Sequence, residues 1–172
     1  ACHILHPVFM GLKLGYPTRV QGVSTLLMTD SPPESEMVQL IFPARPKEKR
    51  TKINFPEVLV TWMDGGMRPM KPSGWPEGRD MNVSGGGVIF HGTKDKLICG
   101  CYGKDPWLLS GRVPNVPQSI PRITTSHEQD WIRACKESPE NRTETASPFS
   151  EAGPFNEMVV MGVLAVRLQD LN

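Results

Sequence analysis

The sequence predicts an α+β fold, an open, mostly antiparallel or mixed β-sheet with helices on one face. Three observations carry this reading. Helical periodicity is confined to residues 2–14 and to the stretch after residue 126, the middle of the chain alternates apolar and polar residues in short runs, and Pro- and Gly-rich turns separate those runs. Helices segregated from strands in this way form layers around one core. Alternating βαβ units and an early Gly-x-Gly-x-x-Gly are both missing, which excludes a dinucleotide-binding fold. With 172 residues the chain is long enough for one domain with one core.

The first helix is expected over residues 2–14, where Ile4, Leu5, Val8, Phe9 and Leu12 share a helical face. Gly15 supplies its C-terminal stop and Pro17 prevents continuation, while Pro7 stands either near the first turn or, if the helix starts further upstream, inside it as a kink. Half-buried strands follow at residues 19–28, 37–42 and 57–63, with Asp30-Ser31-Pro32-Pro33 turning the chain between the first two. Val38, Leu40 and Phe42 share one face of the second strand; in the third, Val58, Val60 and Trp62 oppose Leu59, Thr61 and Met63.

A loop over residues 67–87, punctuated by Pro69, Pro72 and Pro76, has the length that binding or mobile loops have. Residues 88–91, the turn Gly92-Thr93-Lys94-Asp95 and residues 96–102 form the clearest hairpin of the chain. Residues 103–122 are Pro-broken again and wrap the sheet. Ser126 opens a helix as a capping box, its hydroxyl on the Gln129 N–H and the Gln129 side chain reaching back, with Trp131, Ile132 and Cys135 as the apolar stripe. After a polar loop, Gly153-Pro154 starts the last helix with Pro154 in its first turn. Phe155, Met158, Val159, Gly162, Leu164 and Val166 form its buried face.

Composition removes several classes of function. Nineteen basic and 18 acidic side chains nearly cancel, and the one basic run, Lys47-Glu48-Lys49-Arg50-Thr51-Lys52, is interrupted by Glu48 and bounded by Pro46 and Pro56. It reads as a solvated loop, so no nucleic-acid partner is expected. No apolar run reaches the roughly 18 to 20 residues that span a bilayer. Four cysteines are few for a disulfide scaffold; Cys99 and Cys101, two apart in a strand, read as buried structural thiols on one sheet face. Cys2, His3 and His6 lack the second pair that a zinc site requires, so no metal is expected. The sequons at residues 82–84 and 141–143 would matter in a secreted eukaryotic protein.

Catalytic motifs are equally sparse. Gly85-Gly86-Gly87 leads into a strand and not into a helix N-terminus, so it does not build a phosphate cradle. His91-Gly92-Thr93-Lys94 lacks the Walker spacing, and neither a Gly-x-Ser-x-Gly elbow nor paired carboxylates stand out. Among the four tryptophans, Trp75 and Trp107, each beside a proline, are the candidates for stacking on a sugar ring. His127, in the first turn of its helix, is a further substrate candidate.

Three stretches carry a family resemblance. The opening run from Ala1-Cys2-His3-Ile4-Leu5-His6-Pro7 through Gly15-Tyr16-Pro17 resembles the start of the C-terminal domain in the glucose-fructose oxidoreductase, inositol dehydrogenase and rhizopine-catabolism (Gfo/Idh/MocA) family. Ser126-His127-Glu128-Gln129-Asp130-Trp131 and Phe149-Ser150-Glu151-Ala152-Gly153-Pro154-Phe155, each with its helix, are similar to the closing helices of bacterial members, those of Bacteroidetes in particular. The hairpin with Ile89-Phe90-His91-Gly92-Thr93-Lys94 fits the same order, so the resemblance covers nearly the whole chain.

The resemblance implies that residues 1–172 are the C-terminal substrate and oligomerisation domain of a bacterial oxidoreductase, cytoplasmic or periplasmic, whose N-terminal Rossmann domain lies outside this chain. The opening and closing of the chain within helical runs fit that expectation. It implies NAD or NADP as cofactor, held by the Rossmann domain and by no residue of this chain, and a sugar or cyclitol as substrate. His3 matches the family's catalytic His, which works with an Asp four residues upstream and a Lys of the other domain. Imidazole suits that role because it titrates near neutrality and can take a hydroxyl proton while hydride leaves. The chain alone is then expected to be inactive. Oxidation-assisted glycoside hydrolysis occurs among relatives and stays open, as does a carbohydrate-binding or scaffolding module without redox chemistry. Apolar residues on both faces of the strand at 57–63 point to a homo-oligomer through the uncovered sheet face, as in relatives.

Overall fold

The computed structural model describes residues 1–46, 54–81, 85–117, 119–120 and 122–171. The elements run α1 (Cys2–Leu12), β1 (Arg19–Ser24), β2 (Glu36–Phe42), β3 (Val58–Met63), β4 (Gly87–His91), β5 (Lys96–Gly100), a 3₁₀ turn (Cys101–Gly103), β6 (Trp107–Leu108), α2 (His127–Lys136) and α3 (Phe149–Arg167). This is an α+β fold with antiparallel strands throughout, divided between two sheets, β1-β2-β3 and β4-β5-β6. The chain forms two compact units, Ala1–Val113 with Phe155–Asn172, and Pro114–Pro154. The basic run at 47–52 and the sequon at 82–84 lie outside the described residues.

In the first unit the register of the first sheet decides what is buried. Val38 stands opposite Gly22 and Trp62, Leu40 opposite Val20 and Val60, and Phe42 opposite Val58. That face closes on Leu5, Val8 and Phe9 of α1 and on Phe155, Met158 and Val166 of α3. Burying such a side chain contributes about 1.5 to 3 kcal/mol each. The close approach of α3 needs Gly22 in β1, where an added Cβ would stand 2.7 Å from the Val166 amide nitrogen. Beyond the end of α3, Gln169 accepts from the Ser24 N–H at 2.8 Å and donates to the Ser24 hydroxyl at 2.9 Å, fastening the end of β1.

Helix ends depart from the sequence expectation. The αL stop of α1 falls on Lys13 (φ 49°), ahead of Gly15. Lys13 N–H donates to the Met10 carbonyl and Leu14 N–H to the Phe9 carbonyl, a Schellman closure that places buried Leu14 against the core. Pro7 lies inside α1 and cannot donate to the His3 carbonyl. The last helix starts at Phe149, ahead of Gly153, so Pro154 is interior rather than in the first turn. Its first turn is nucleated instead on the Pro148 carbonyl, which accepts from Glu151 and Ala152. Leu164, expected on the buried face, is exposed, since Met158, Gly162 and Val166 already fill the contact with the sheet.

The hairpin forms as its sequence foretells, Val88 opposite Cys99 and Phe90 opposite Leu97. Asp95 holds its turn, accepting from the Lys96 and Ser110 amides and from the Ser110 hydroxyl. β5 ends at Gly100, short of Tyr102, because Tyr102 and Gly103 both take positive φ. β6 pairs Leu108 with Leu97 and Trp107 with Ile98.

In the second unit Ser126 caps α2, accepting from the Gln129 N–H at 3.3 Å. The Ser126 hydroxyl also holds the Glu128 carboxyl below its usual range. Trp131, Ile132 and Cys135 are exposed, and Asp130 and Ala134 are the buried residues of α2. Asp130 tolerates burial because the Ala146 N–H and the Arg133 guanidinium answer both of its oxygens.

Candidate functional site

Within the first unit α1 packs against the 3₁₀ turn after β5 and against β4, and a cavity of about 630 Å³ opens beside this contact. The start of α1 contributes His3 and Ile4; β5 and the turn contribute residues 98–101. Five side chains give the cavity its chemistry: Arg79, Tyr102, Lys104, Asp105 and Trp107, beside His3. The His3 imidazole lies 4.7 Å from the Tyr102 ring, centroid to centroid, and the Lys104 ammonium 5.6 Å from the same ring.

The segment after β5 is built for this display. Tyr102 (φ 62°) and Asp105 (φ 48°) take left-handed conformations that cost L-residues about 1 to 2 kcal/mol each. The Gly100 N–H donates to the Lys104 carbonyl at 2.8 Å and the Lys104 N–H to the Cys101 carbonyl at 3.3 Å, so the tight loop is closed on itself. Strained non-glycine residues of this kind cluster at ligand sites. Gly103 takes φ 71°, a left-handed conformation that glycine adopts without strain.

The candidate residues fare differently. His3 and Trp107 both reach the cavity. Trp75 meets Trp107 edge-on at 5.4 Å and donates its indole N–H to the Arg79 carbonyl at 2.9 Å. The Arg79 guanidinium in turn covers the Trp107 ring at 3.7 Å. Residues 72–79 are therefore pinned, with further turns closed from Trp75 N–H to Pro72 and from Arg79 N–H to Pro76. His127 belongs to the second unit; its side chain is 95% exposed and 3.4 Å from Glu128.

Cys99 and Cys101 also line the cavity, Cys99 buried and Cys101 half-buried. Burial pushes the Cys99 thiol up, which keeps it protonated and poorly nucleophilic. Among the described residues no three His, Cys, Asp or Glu side chains converge as a metal site.

Sequence reading missed Arg79, Tyr102, Lys104 and Asp105. The signal was present in Tyr102-Gly103-Lys104-Asp105-Pro106, turn chemistry carrying three polar side chains directly after a strand.

No protein-family model matches this chain, and no curated protein matches it. Gly86 leads into β4 at Gly87, a strand that pairs with β5, and not into a helix N-terminus. No helix among the described residues is long and apolar enough to cross a membrane.

Proposed function

We propose that this chain is the substrate-side domain of an NAD(P)-dependent oxidoreductase of Gfo/Idh/MocA type, acting at a hydroxyl carbon of a sugar or cyclitol. The observation that carries the reading is the placement of His3, the residue matched to the family's catalytic His, on a cavity of about 630 Å³ shared with a phenol, an ammonium and a carboxylate. Such a volume suits a monosaccharide-sized ligand. Convergent donors and acceptors are what a polyhydroxylated ring requires.

The reading assigns the cofactor to a Rossmann domain outside this chain, as the resemblance implies. A nicotinamide held there would accept the hydride from the substrate carbon. His3 takes the proton of the reacting hydroxyl, and Tyr102, packed against the imidazole, restricts its orientation. Asp105 and Lys104 serve the remaining hydroxyls as acceptor and donor. The Trp75–Trp107 pair at the cavity also favours a second reading, a carbohydrate-binding module without redox chemistry.

The test uses the parent protein with the dinucleotide-binding domain that the first reading requires. His3→Ala is expected to lower kcat about 10²- to 10⁴-fold while leaving NAD(H) affinity within a factor of two or so. An unchanged turnover number removes His3 from the chemistry. Sugar binding by a protein in which neither NAD nor NADP supports any turnover favours the module. Micromolar binding of NADH by residues 1–172 alone would contradict the division of labour between the domains.

A further inference from the structure

The Arg79 side chain carries information that the hydroxyl-binding role leaves unused. Its guanidinium lies over Trp107, 3.7 Å from the ring centroid, and its carbonyl is held by the Trp75 indole N–H at 2.9 Å. Stacking occupies the face of a guanidinium and leaves its N–H edge for ligands in its plane. Among the described residues no carboxylate pairs with that edge, nor with the Lys104 ammonium. The side chains that line the cavity thus carry two solvent-exposed cations, Arg79 and Lys104, against one carboxylate, Asp105. Side chains leave one net positive charge, in a pocket whose arginine is oriented before any ligand arrives.

We propose that the cavity takes a carboxylate-bearing polyhydroxy compound, a uronic or aldonic acid, its carboxylate seated on Arg79 and Lys104 and its hydroxyls facing His3, Tyr102 and Asp105. The sugar part of this assignment rests on the function proposed above; the anionic part rests on the two cations that line the cavity against one carboxylate. One net positive charge matches one carboxylate, whereas a phosphate dianion leaves the site over-compensated beside Asp105. The planar edge of Arg79 fits the two oxygens of a carboxylate in a bidentate pair. Pre-orientation by Trp107 and Trp75 lowers the ordering cost that a free arginine incurs on binding.

Calorimetry and indole N–H shifts of Trp107, recorded on residues 1–172 with D-glucuronate, D-glucose, D-glucose 6-phosphate and acetate, test this. D-glucuronate is expected to bind at least about tenfold more tightly than D-glucose, since a charge-assisted bond contributes the equivalent of about 10- to 100-fold in affinity. Arg79→Gln and Lys104→Gln should each weaken glucuronate by about that factor more than they weaken glucose, and Arg79→Lys should restore the difference only in part. Lys104 takes no part in the Arg79–Trp107–Trp75 stack, so Lys104→Gln reads the charge even if Arg79→Gln disturbs the tryptophan pair. Equal affinity for glucose and glucuronate overturns the anion assignment and leaves the sugar reading standing. Acetate binding as tightly as glucuronate overturns the sugar part together with the reading on which it rests. Tightest binding of D-glucose 6-phosphate overturns the carboxylate in favour of a phosphoryl group, and full affinity in both Gln variants overturns the placement.

Discussion

Gly22 and Gly162 sit on the two sides of the contact between α3 and the first sheet, and they respond oppositely to the same added methyl. At Gly22 a Cβ would meet the Val166 nitrogen at 2.7 Å and the Ala165 carbonyl carbon at 2.8 Å, backbone atoms that cannot rotate away. Gly22→Ala must lift the helix from the sheet, at a cost of about 1 to 3 kcal/mol. At Gly162 the Cβ would meet a Val38 methyl at 3.4 Å, a contact a side chain absorbs, and a helix interior gains about 0.8 to 1 kcal/mol when Gly becomes Ala. Urea unfolding should therefore show a lowered midpoint for Gly22→Ala and a raised one for Gly162→Ala; shifts of the same sign would refute the account. Periodicity alone put Gly162 on the buried face of its helix. Gly22 gave no such signal, because its requirement comes from a helix 140 or so positions further along the chain. Lys13 was unreadable for a related reason. The Schellman closure follows the burial of Leu14 beside Phe9, and core packing outweighs the αL cost of a lysine where Gly15 stood ready two positions later.

α2 shows how an element can be found from sequence while its buried side is not. Ser126 marked its start, but the apolar residues Trp131 and Ile132 face solvent and the carboxylate of Asp130 faces in. The reason is a clasp. Arg133 donates to Asp130 through Nε and Nη2 and to Glu137 through Nη1, and the two carboxylates accept from the Ala146 and Thr143 amides of the following loop. A pattern of apolar spacing cannot register a buried acid whose partners are backbone amides. The Ala146 N–H and then Arg133 hold the Asp130 carboxyl below its usual range; the Thr143 N–H and then Arg133 do the same for Glu137. A folded pKa below the unfolded value gives stability that is complete above the unfolded pKa and lost as pH falls through the folded one. Protection of the Ala146 and Thr143 amides against hydrogen exchange should accordingly stay level above about pH 5 and decline below about pH 4. Asp130→Asn should flatten the Ala146 response. Protection that rises on acidification would show that the carboxylates strain the loop instead of fastening it. Among strands, the hairpin of β4 and β5 was legible because turn residues and alternation agree, whereas β6 offers two residues and owes its pairing to Asp95 binding Ser110.

At the level of the whole molecule, layer type was legible and the partition into two sheets was not, since strand alternation carries no record of which edge a strand joins across a long loop. The same alternation does describe the free face of the first sheet. Opposite the core-facing rows, Arg19, Ile41 and Leu59 align across the strands, then Gln21, Gln39 and Thr61, then Val23, Met37 and Met63. Leu59 is 56% exposed and Val23 45%. Two mostly apolar rows, the first with Arg19 at its β1 end, flank one polar row on the face of the sheet opposite the core. Soluble chains rarely leave such a face open, and a second copy meeting it across a two-fold axis places glutamine rows against each other and apolar rows against apolar rows. The oligomer proposed with the family resemblance is thus expected through this face. Light scattering at micromolar concentration should give a mass above that of one chain, and Leu59→Glu, which inserts a charge into an apolar row, should return the monomer without lowering the unfolding midpoint by more than about 0.5 kcal/mol equivalent. A wild-type monomer at these concentrations would reject the sheet face as an interface. An oligomer that Leu59→Glu leaves intact would move the contact to another surface.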